Sequence, residues 1–449
     1  MLGAGVGIQP QYRTAVAEGL SFPIGFGWDQ IRFPIGFERT GSTFTTDLNP
    51  SDLVDPNIWT GTAVHVDSAT GDDSNSGLGT YDGDFTAAKR TIYSAFATGN
   101  ATGGAYRVIV KAGQYEESAF TRNGKNEPNQ PVAIIGWGGA VHYRTGPFLV
   151  NWSNAGATYS APVSSVKRLF RTDVLTAEGC YNELPKAADL AMCQATVGSW
   201  FLDGGTVHVN IGHAPSSDGI ALIRSFHGAR FMSHSADLYL ENIDCEGGIT
   251  GALHLDATSS RNVVGVNCSF RYSAPSNPSA PLDAVRVRRT NGLVAFFDSD
   301  ASMGAKDGWS FHEDGNSGMH VVLQNCTGLC NGVDPATSCN GFTTHDAIHA
   351  VVLDGSYGLS KNGSEVHCIQ STQTWLAGTV AKARDIDGTS VAFKCSNQAS
   401  MWLQNTCADA AGSPLNFAIE ANAGTVYIRN HTDVSGSHET SVGGSISPF

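Results

Sequence analysis

The chain has 449 residues, 41% of them hydrophobic, and its 27 lysines and arginines against 41 aspartates and glutamates give a net charge of −14. An acidic chain lacks the basic face with which nucleic-acid-binding proteins neutralise phosphates, and this apolar content excludes wholesale disorder. No run of 18 apolar residues occurs, so we expect no membrane insertion. The first residues lack the basic and apolar regions of a signal peptide, and the glycine-rich GAGVG at 3–7 follows no strand, so we predict no cofactor.

The N-terminal segment, residues 1–61, contains the pentapeptide FPIGF twice, at 22–26 and at 33–37. Proline and glycine exclude a helix interior, and proline restricts each copy to an edge strand or an extended arm. Because the phenylalanines are too apolar to leave in water, we expect residues 1–45 to be an attachment segment buried against partner chains. The alternative is a private edge hairpin that packs on the end of the following domain.

Residues 63–118 place a strand, the turn GDDSNSG, a helical segment at 86–97 and a strand at 107–115 that ends VKAGQY in this order. This stretch resembles the opening of pectate-lyase-like right-handed parallel β-helix proteins, whose open end is covered by a short helix. The resemblance implies an all-β solenoid, most like those of phage tailspike and tail-fibre proteins. The oxygen-rich residues 67–77 would suit calcium, but a turn before a helix needs no ion, and we predict no metal.

Residues 137–235 show no regular pattern. Within them, residues 179–194 have helical spacing and predict an inserted excursion. Cys180 with Cys193, and Cys330 with Cys339, bracket polar stretches, and either pair would suit a disulfide if the protein works outside a cell. The other cysteines mostly end strand-like runs, where cysteine is more often a small core residue.

From residue 236 onward, short apolar runs recur and stop at Asn, Asp or Cys. Measured from Leu240 through Val266, Phe297, Leu323 and Leu353, the steps are 26, 31, 26 and 30 residues. Strands that recur at such a period, without helices between them, predict a parallel β-solenoid whose stacked turns share one core. We expect the β-helix domain to span residues 62–432 and to be followed by a short polar tail, residues 433–449.

A second family of strands is interleaved with the first, in segments such as GALHLD, DAVRVR, DGWSFH, DAIHAV and SEVHC. Because strand side chains alternate between faces, inward apolar residues leave a polar column pointing outward. Insertions at 271–281 and 328–345 are expected to rise along one edge of this face and form a groove. Six residues are predicted to bind substrate there: His254, Arg286, Arg288, His312, His349 and His367.

The same face offers carboxylates for acid–base chemistry. Glu313 and Asp314 are the first candidates, with Asp256 and Glu365 as partners. Paired carboxylates would support glycoside hydrolysis, whereas a base beside a uronate would support β-elimination, and the sequence leaves both open. We interpret the aspartates that begin successive polar strands, Asp283, Asp307 and Asp346, as turn caps rather than a catalytic row.

Three functions fit these features. The first is a phage-type tailspike or tail fibre, made without a signal peptide and extracellular in the virion, that recognises a bacterial surface polysaccharide and in some versions cleaves it. Residues 1–45 would then contact virion proteins, and the resemblance implies a homotrimer. The second is a secreted polysaccharide lyase or glycoside hydrolase. The third is a non-catalytic β-helix adhesin or structural subunit.

Overall fold

A computed structural model shows a right-handed parallel β-helix of about 11 turns. It describes residues 17–116, 127–225, 231–232, 235–257, 259–275, 282–333, 338–384, 390–413 and 415–449. The strands lie in three parallel sheets, which we call sheets I, II and III in the order in which the chain enters them, and from residue 238 to residue 441 each turn contributes one strand to each sheet. The predicted fold class is therefore confirmed.

Sheet I begins with the two strands predicted within residues 63–118. The second of them, predicted at 107–115, lies within the observed strand Tyr106–Glu116. Two of its strands, Tyr106–Glu116 and Val132–Arg144, are long enough to continue into sheet II. The sheet I strands are Thr62–Val66, Tyr106–Glu116, Val132–Arg144, Leu238–Glu241, Val263–Val266, Leu293–Phe297, His320–Gln324, His349–Leu353, Gln373–Ala377, Ser400–Gln404, Thr425–Arg429 and Ser445–Pro448.

Sheets II and III complete each turn. The further strands of sheet II are Ile243–Glu246, Ser269–Arg271, Asp300–Ser302, Thr327–Leu329, Ser356–Gly358, Val380–Arg384, Cys407–Gly412 and Thr432–Ser435. Sheet III consists of Phe231–Met232, Leu253–Asp256, Val285–Arg288, Trp309–His312, Phe342–Thr344, Ser364–Cys368, Val391–Ser396, Phe417–Asn422 and Ser437–Ser441.

A left-handed residue turns the chain from sheet I to sheet II. Asn and Asp tolerate this conformation better than other residues with a side chain, which explains why the apolar runs stop at them. Side chains at successive corners also bond to each other, as when Asn325 Nδ2 donates to Asp298 Oδ1 at 2.7 Å. The corner residues are Asn242, Asn267, Asp298, Asn325, Asp354, Gly378, Asn405 and Asn430, with φ between 49° and 67°.

The interior is a continuous stack of apolar side chains contributed by all three sheets. Part of this interior is aromatic: the Trp309 ring lies 4.7 Å from that of Phe296 and 6.1 Å from that of Phe270, centroid to centroid. The helix predicted at 86–97 is observed four to six residues later, at Ile92–Ala101, where Ile92 and Phe96 join this core. Thr91 caps it by accepting a hydrogen bond from the amide of Ser94.

The N-terminal arm, which we define as residues 17–47, lies along the outside of sheet I. It contains the antiparallel strands Glu18–Leu20, Phe37–Thr40 and Thr43–Thr46, and is followed by short helices at Pro50–Leu53 and Asn57–Thr60. The aromatic rings of the arm pack on Trp375 and Trp402, which sheet I points outward. Side chains of sheet I also bond to the backbone of the arm: Gln373 Oε1 accepts a hydrogen bond from the Gly27 amide at 2.7 Å.

This packing corrects the prediction for the doubled pentapeptide. The described phenylalanines pack against the solenoid of the same chain, along its flank rather than at its end. The two copies also differ in conformation: Ile24 lies in a turn and is 97% exposed, whereas Ile35 is buried just before a strand. Residues 1–16 of the predicted attachment segment lie outside the described residues.

Residues 150–225 form an inserted unit with its own small core around Trp200. It contains the excursion predicted at 179–194, which includes a strand and the helix Leu190–Ala195. The unit docks on sheet II, where the Tyr181 and Tyr272 rings stack 5.2 Å apart. Its strands, all antiparallel, are Ser153–Ala155, Thr158–Ala161, Val166–Leu175, Tyr181–Glu183, Ser199–Asp203, Thr206–Asn210 and Ile220–Arg224.

Two other expectations meet the structure at the cysteines and the C-terminal residues. All ten cysteines are free thiols, so neither bracketed pair forms a disulfide. The expected tail at 433–449 instead continues the solenoid, because Ser437–Ser441 and Ser445–Pro448 pair in parallel with the preceding turn. Within the described ranges, no helix has the length and apolarity needed to cross a membrane.

Candidate polysaccharide-binding face

The outward side chains of sheet III form two adjacent columns on a rigid surface. Their order follows from the parallel register, in which each residue lies beside its counterpart on the next turn. The first column is His254, Arg286, Ser310, Thr343, His367, Lys394 and Glu420. The second begins Asp256, Arg288 and His312, and His345 follows in it. Five of the six predicted binding residues therefore share this face, which we call the sheet III face.

The sixth predicted residue, His349, lies elsewhere. It begins a strand of sheet I, where it pairs with His320 and Gln373 and lies under the N-terminal arm, with its ring 6.2 Å from that of Phe26. The polar strand of this turn is Phe342–Thr344, and His345 at its end occupies the column position expected of His349. The strand assignment in the sequence was therefore wrong by several residues at this turn.

Ion pairs fix the first part of the second column. Arg288 Nε donates to Asp314 Oδ2 at 2.6 Å, and Arg289 Nε donates to Asp256 Oδ1 at the same distance. Burial opposes ionisation of Asp314, but the hydrogen bond and charge of Arg288 outweigh it and lower the pKa of that carboxyl. Both predicted carboxylates are thus already paired with arginines, and His254 beside them is only 4% exposed.

Three imidazoles continue the face in the uncharged form. The rings of His312 and His345 stack with centroids 4.1 Å apart, and burial is the main cause that lowers their pKa values, to about 2 and about 4. Burial and then the charge of Lys394 lower the pKa of His367 to about 3. Each ring contacts a hydroxyl, as His312 Nε2 does with Ser310 Oγ at 3.0 Å. Neutral imidazoles of this kind can donate to and accept from sugar hydroxyls.

Two buried aspartates lie where this face meets the turns from sheet II. Asp283 Oδ1 accepts from the Asp307 amide at 3.3 Å, and Asp307 Oδ1 accepts from the Asn340 amide at 2.9 Å, so both are turn caps as predicted. Burial and the neighbouring Asp283 carboxylate raise the pKa of Asp307. Arg286 and Lys306 lie above them, at 3.4 Å from Asp283 Oδ2 and 3.6 Å from Asp307 Oδ2.

The other predicted catalytic carboxylates hold backbone. Glu313 Oε1 accepts from the amides of Gly318 at 2.6 Å and Met319 at 3.1 Å. Glu365 is fully buried and accepts from the Ser360 amide at 3.0 Å, and burial raises its pKa well above the usual range. Acid–base roles for these residues stay predictions, and their contacts fit structural caps.

The face also contains one group that could hold a metal ion. Ligand atoms of His312, Asp314 and Asp346 lie within 4.8 Å of one another. The Asp314 carboxylate is already bonded to Arg288, and Asp346 Oδ2 accepts from the Asp314 amide at 2.9 Å. A cation at this position would compete with an arginine that is permanently charged, so the arrangement favours the ion pair.

Turns and the inserted unit form one wall of the sheet III face. The insertion predicted at 271–281 follows the sheet II strand that ends at Arg271, whereas the one predicted at 328–345 is shorter than expected, because it includes the sheet III strand Phe342–Thr344. Residues 276–281 and 334–337 of these insertions lie outside the described residues. Between the inserted unit and these turns lies a cavity of about 490 Å³ whose lining includes Trp200, the ion pair of Arg168 with Glu183, and three lysines, Lys167, Lys186 and Lys361. Lysines beside an aromatic ring suit an acidic sugar, and together with Lys306, His345 and Lys394 they are the residues that the sequence analysis missed.

Comparisons with known proteins give structural neighbours only. No protein-family model and no curated protein matches the sequence. Among solved structures, a glycoside hydrolase is 10% identical, with 86% of this chain and 96% of that chain covered and a TM-score of 0.48. The structure of XylC with xylose is 11% identical, with coverage of 84% and 69% and a TM-score of 0.48. Pectate lyase Pel9A is 12% identical, with coverage of 89% and 81% and a TM-score of 0.39. At these identities and TM-scores the neighbours carry no argument about the function of this chain.

Proposed function

We propose that this protein recognises a carboxylated bacterial surface polysaccharide along the sheet III face, as a receptor-binding β-helix of the tailspike type. The observation that carries the proposal is a row of cationic and imidazole side chains, including Arg286, Lys306, His367 and Lys394, on one rigid face of a chain with net charge −14. Arg286, Lys306 and Lys394 each have a carboxylate partner in the protein, so uronate groups would share or replace these partners, and sugar hydroxyls would bond to the imidazoles.

The contacts of the carboxylates favour recognition over cleavage. A glycosidase keeps its two carboxyl groups roughly 5–9.5 Å apart, one as an acid and one as a nucleophile or base. Asp283 and Asp307 instead lie on successive turns of the solenoid, where each accepts a hydrogen bond from a backbone amide and the Asp283 carboxylate helps to raise the pKa of Asp307, while Glu313 and Glu365 are bonded to backbone amides. Binding needs none of these groups to move or to exchange protons.

The test is polysaccharide binding by calorimetry, with variants of matched charge change. Replacing both Arg286 and Lys306 by alanine should weaken binding by about tenfold for each charge-assisted hydrogen bond lost. The matched control replaces both Lys382 and Arg384 by alanine, which likewise removes two positive charges, from exposed positions on the outside of sheet II, and should leave the affinity unchanged. Equal affinities of the double variant and the control would place the binding site elsewhere.

Two further measurements address the finer parts of the proposal. Light scattering should give the mass of a trimer, and a monomer would contradict the tailspike-type assembly. Incubation with the polysaccharide should leave it intact. Release of unsaturated uronates would instead support the lyase alternative, and release of reducing ends would support the hydrolase alternative.

A further inference from the structure

Two histidines and an aspartate converge at the last turn of the solenoid, on side chains that the sheet III face does not use. Asp433 lies between them: His431 Nε2 is 2.8 Å from its Oδ1, and His438 Nε2 is 2.7 Å from its Oδ2. The ligand atoms of all three residues lie within 4.8 Å of one another. From this geometry we infer that His431, Asp433 and His438 form a binding site for a divalent transition metal, with Zn²⁺ as the best fit.

The backbone brings these residues together from different sheets. Asp433 lies in the sheet II strand Thr432–Ser435, His431 precedes that strand, and His438 lies in the sheet III strand Ser437–Ser441. Gly436 makes the corner between the strands with a φ of 105°, and a Cβ there would lie 2.8 Å from the amide nitrogen of Ala418. Both strands pair with the preceding turn, so the three side chains start from fixed positions.

Thr406 and Phe393 orient His431, the most buried of the three proposed ligands. Thr406 Oγ1 lies 2.7 Å from His431 Nδ1, and the Phe393 ring meets the imidazole edge to face at 5.9 Å. A hydroxyl can accept as well as donate, so Thr406 can hold the tautomer with the proton on Nδ1, which leaves Nε2 free to bind a metal. Ligating histidines usually have such a partner on their other nitrogen.

The donor set indicates the class of metal. Imidazole nitrogens with one carboxylate oxygen suit Zn²⁺, whereas Ca²⁺ and Mg²⁺ prefer oxygen ligands alone. Three protein ligands would leave a fourth position for water, on the side where His438 and Asp433 reach solvent with side chains 31% and 28% exposed. A metal there would tie the final strands of sheets II and III together at the end of the solenoid.

The experiment compares zinc content and affinity in full-length variants after removal of metal with a chelator. The wild type should bind one more equivalent of Zn²⁺ than His438→Ala or Asp433→Asn, both of which change partly exposed side chains and should keep the fold. The matched control is His213→Ala, an exposed histidine of the inserted unit, which should bind as the wild type does. A His312→Ala variant removes the histidine of the other group, on the sheet III face. Loss of zinc in His438→Ala but not in His312→Ala would assign the metal to the site at the last turn.

Thr406→Val provides an independent readout, because loss of the partner of a ligating histidine typically costs about 10–100-fold in metal affinity. Co²⁺ in place of Zn²⁺ should show visible absorption bands in the wild type that His438→Ala lacks. Circular dichroism in chelator should be the same for all variants. Zinc binding by His438→Ala equal to that of the wild type would overturn the inference, as would a wild type that binds no zinc.

Discussion

Replacing Phe26 by alanine tests whether aromatic packing holds the N-terminal arm on the solenoid. Phe26 is 9% exposed, and its ring lies 5.5 Å from that of Trp402 and 5.2 Å from that of Phe22. The same pentapeptide supplies a matched control, because Ile24, two residues earlier, is 97% exposed.

The expected cost follows from the contacts that the ring would lose. Removing a buried phenylalanine side chain costs about 3–5 kcal/mol when the site cannot collapse. The edge-to-face contact with Trp402 is part of this cost, whereas residual exposure and the edge position of the arm favour the lower end of the range. A loss of about 3 kcal/mol corresponds to roughly 100-fold more frequent opening of the arm.

Hydrogen exchange followed by mass spectrometry measures this opening directly. Amides of the arm that bond to sheet I, such as that of Gly27, should exchange about 100-fold faster in Phe26→Ala. Ile24→Ala should exchange as the wild type does, since an exposed substitution changes stability by less than about 0.5 kcal/mol. If the two variants exchange alike, the arm is not held by the packing described above.

Two other predictions concern a carboxylate and a corner. Burial opposes ionisation of Asp67, but hydrogen bonds from Lys111, Thr70 and backbone amides outweigh it and lower the pKa to about 2 from an ordinary value of 3.8. Ionised Asp67 therefore contributes about 2 kcal/mol to the free energy of unfolding above pH 4, and this contribution is lost as the pH falls from about 4 to about 2. Asp67→Asn should thus melt at a lower temperature than the wild type at pH 7 and at about the same temperature near pH 2. Asn325 has a φ of 52°, so Asn325→Ala should lower the free energy of unfolding by about 1–2 kcal/mol. Asn325→Gly keeps this conformation accessible and should therefore melt at a higher temperature than the alanine variant. A glycine variant that melts lower than the alanine variant would contradict the role of the left-handed corner.

The solenoid could be predicted because its signals are local and repeated. Alternation in strands such as Val285–Arg288 shows which side chains point inward, and the Asn and Asp residues that end the apolar runs are the left-handed corners themselves. The same alternation correctly placed Arg286 and Arg288 on one outward face. Failure at His349 came from a turn where the chain offers two strand-like segments in direct succession, GFTTH and DAIHAV.

The arm and the inserted unit were harder to predict because they depend on tertiary contacts. The sheet I strands His320–Gln324 and His349–Leu353 contain unbroken apolar runs rather than alternation, which is typical of a strand buried on both faces. This signal would have shown that something covers sheet I, although not that the arm does. In the inserted unit, Gly204 and Gly205 between two apolar runs are a hairpin signal that the sequence analysis passed over.

The corner between sheets I and II determines which insertions and deletions the solenoid can accept without losing its binding face. One left-handed residue turns the chain from sheet I to sheet II on each turn. Adding or removing a complete turn therefore leaves all the remaining side chains in the same sheet and pointing to the same face. A binding face built this way grows in steps of about 4.8 Å, the spacing of neighbouring strands. Duplication of a segment of one period would therefore lengthen the face to fit a longer stretch of glycan, whereas a single-residue insertion within a strand would exchange its inner and outer side chains.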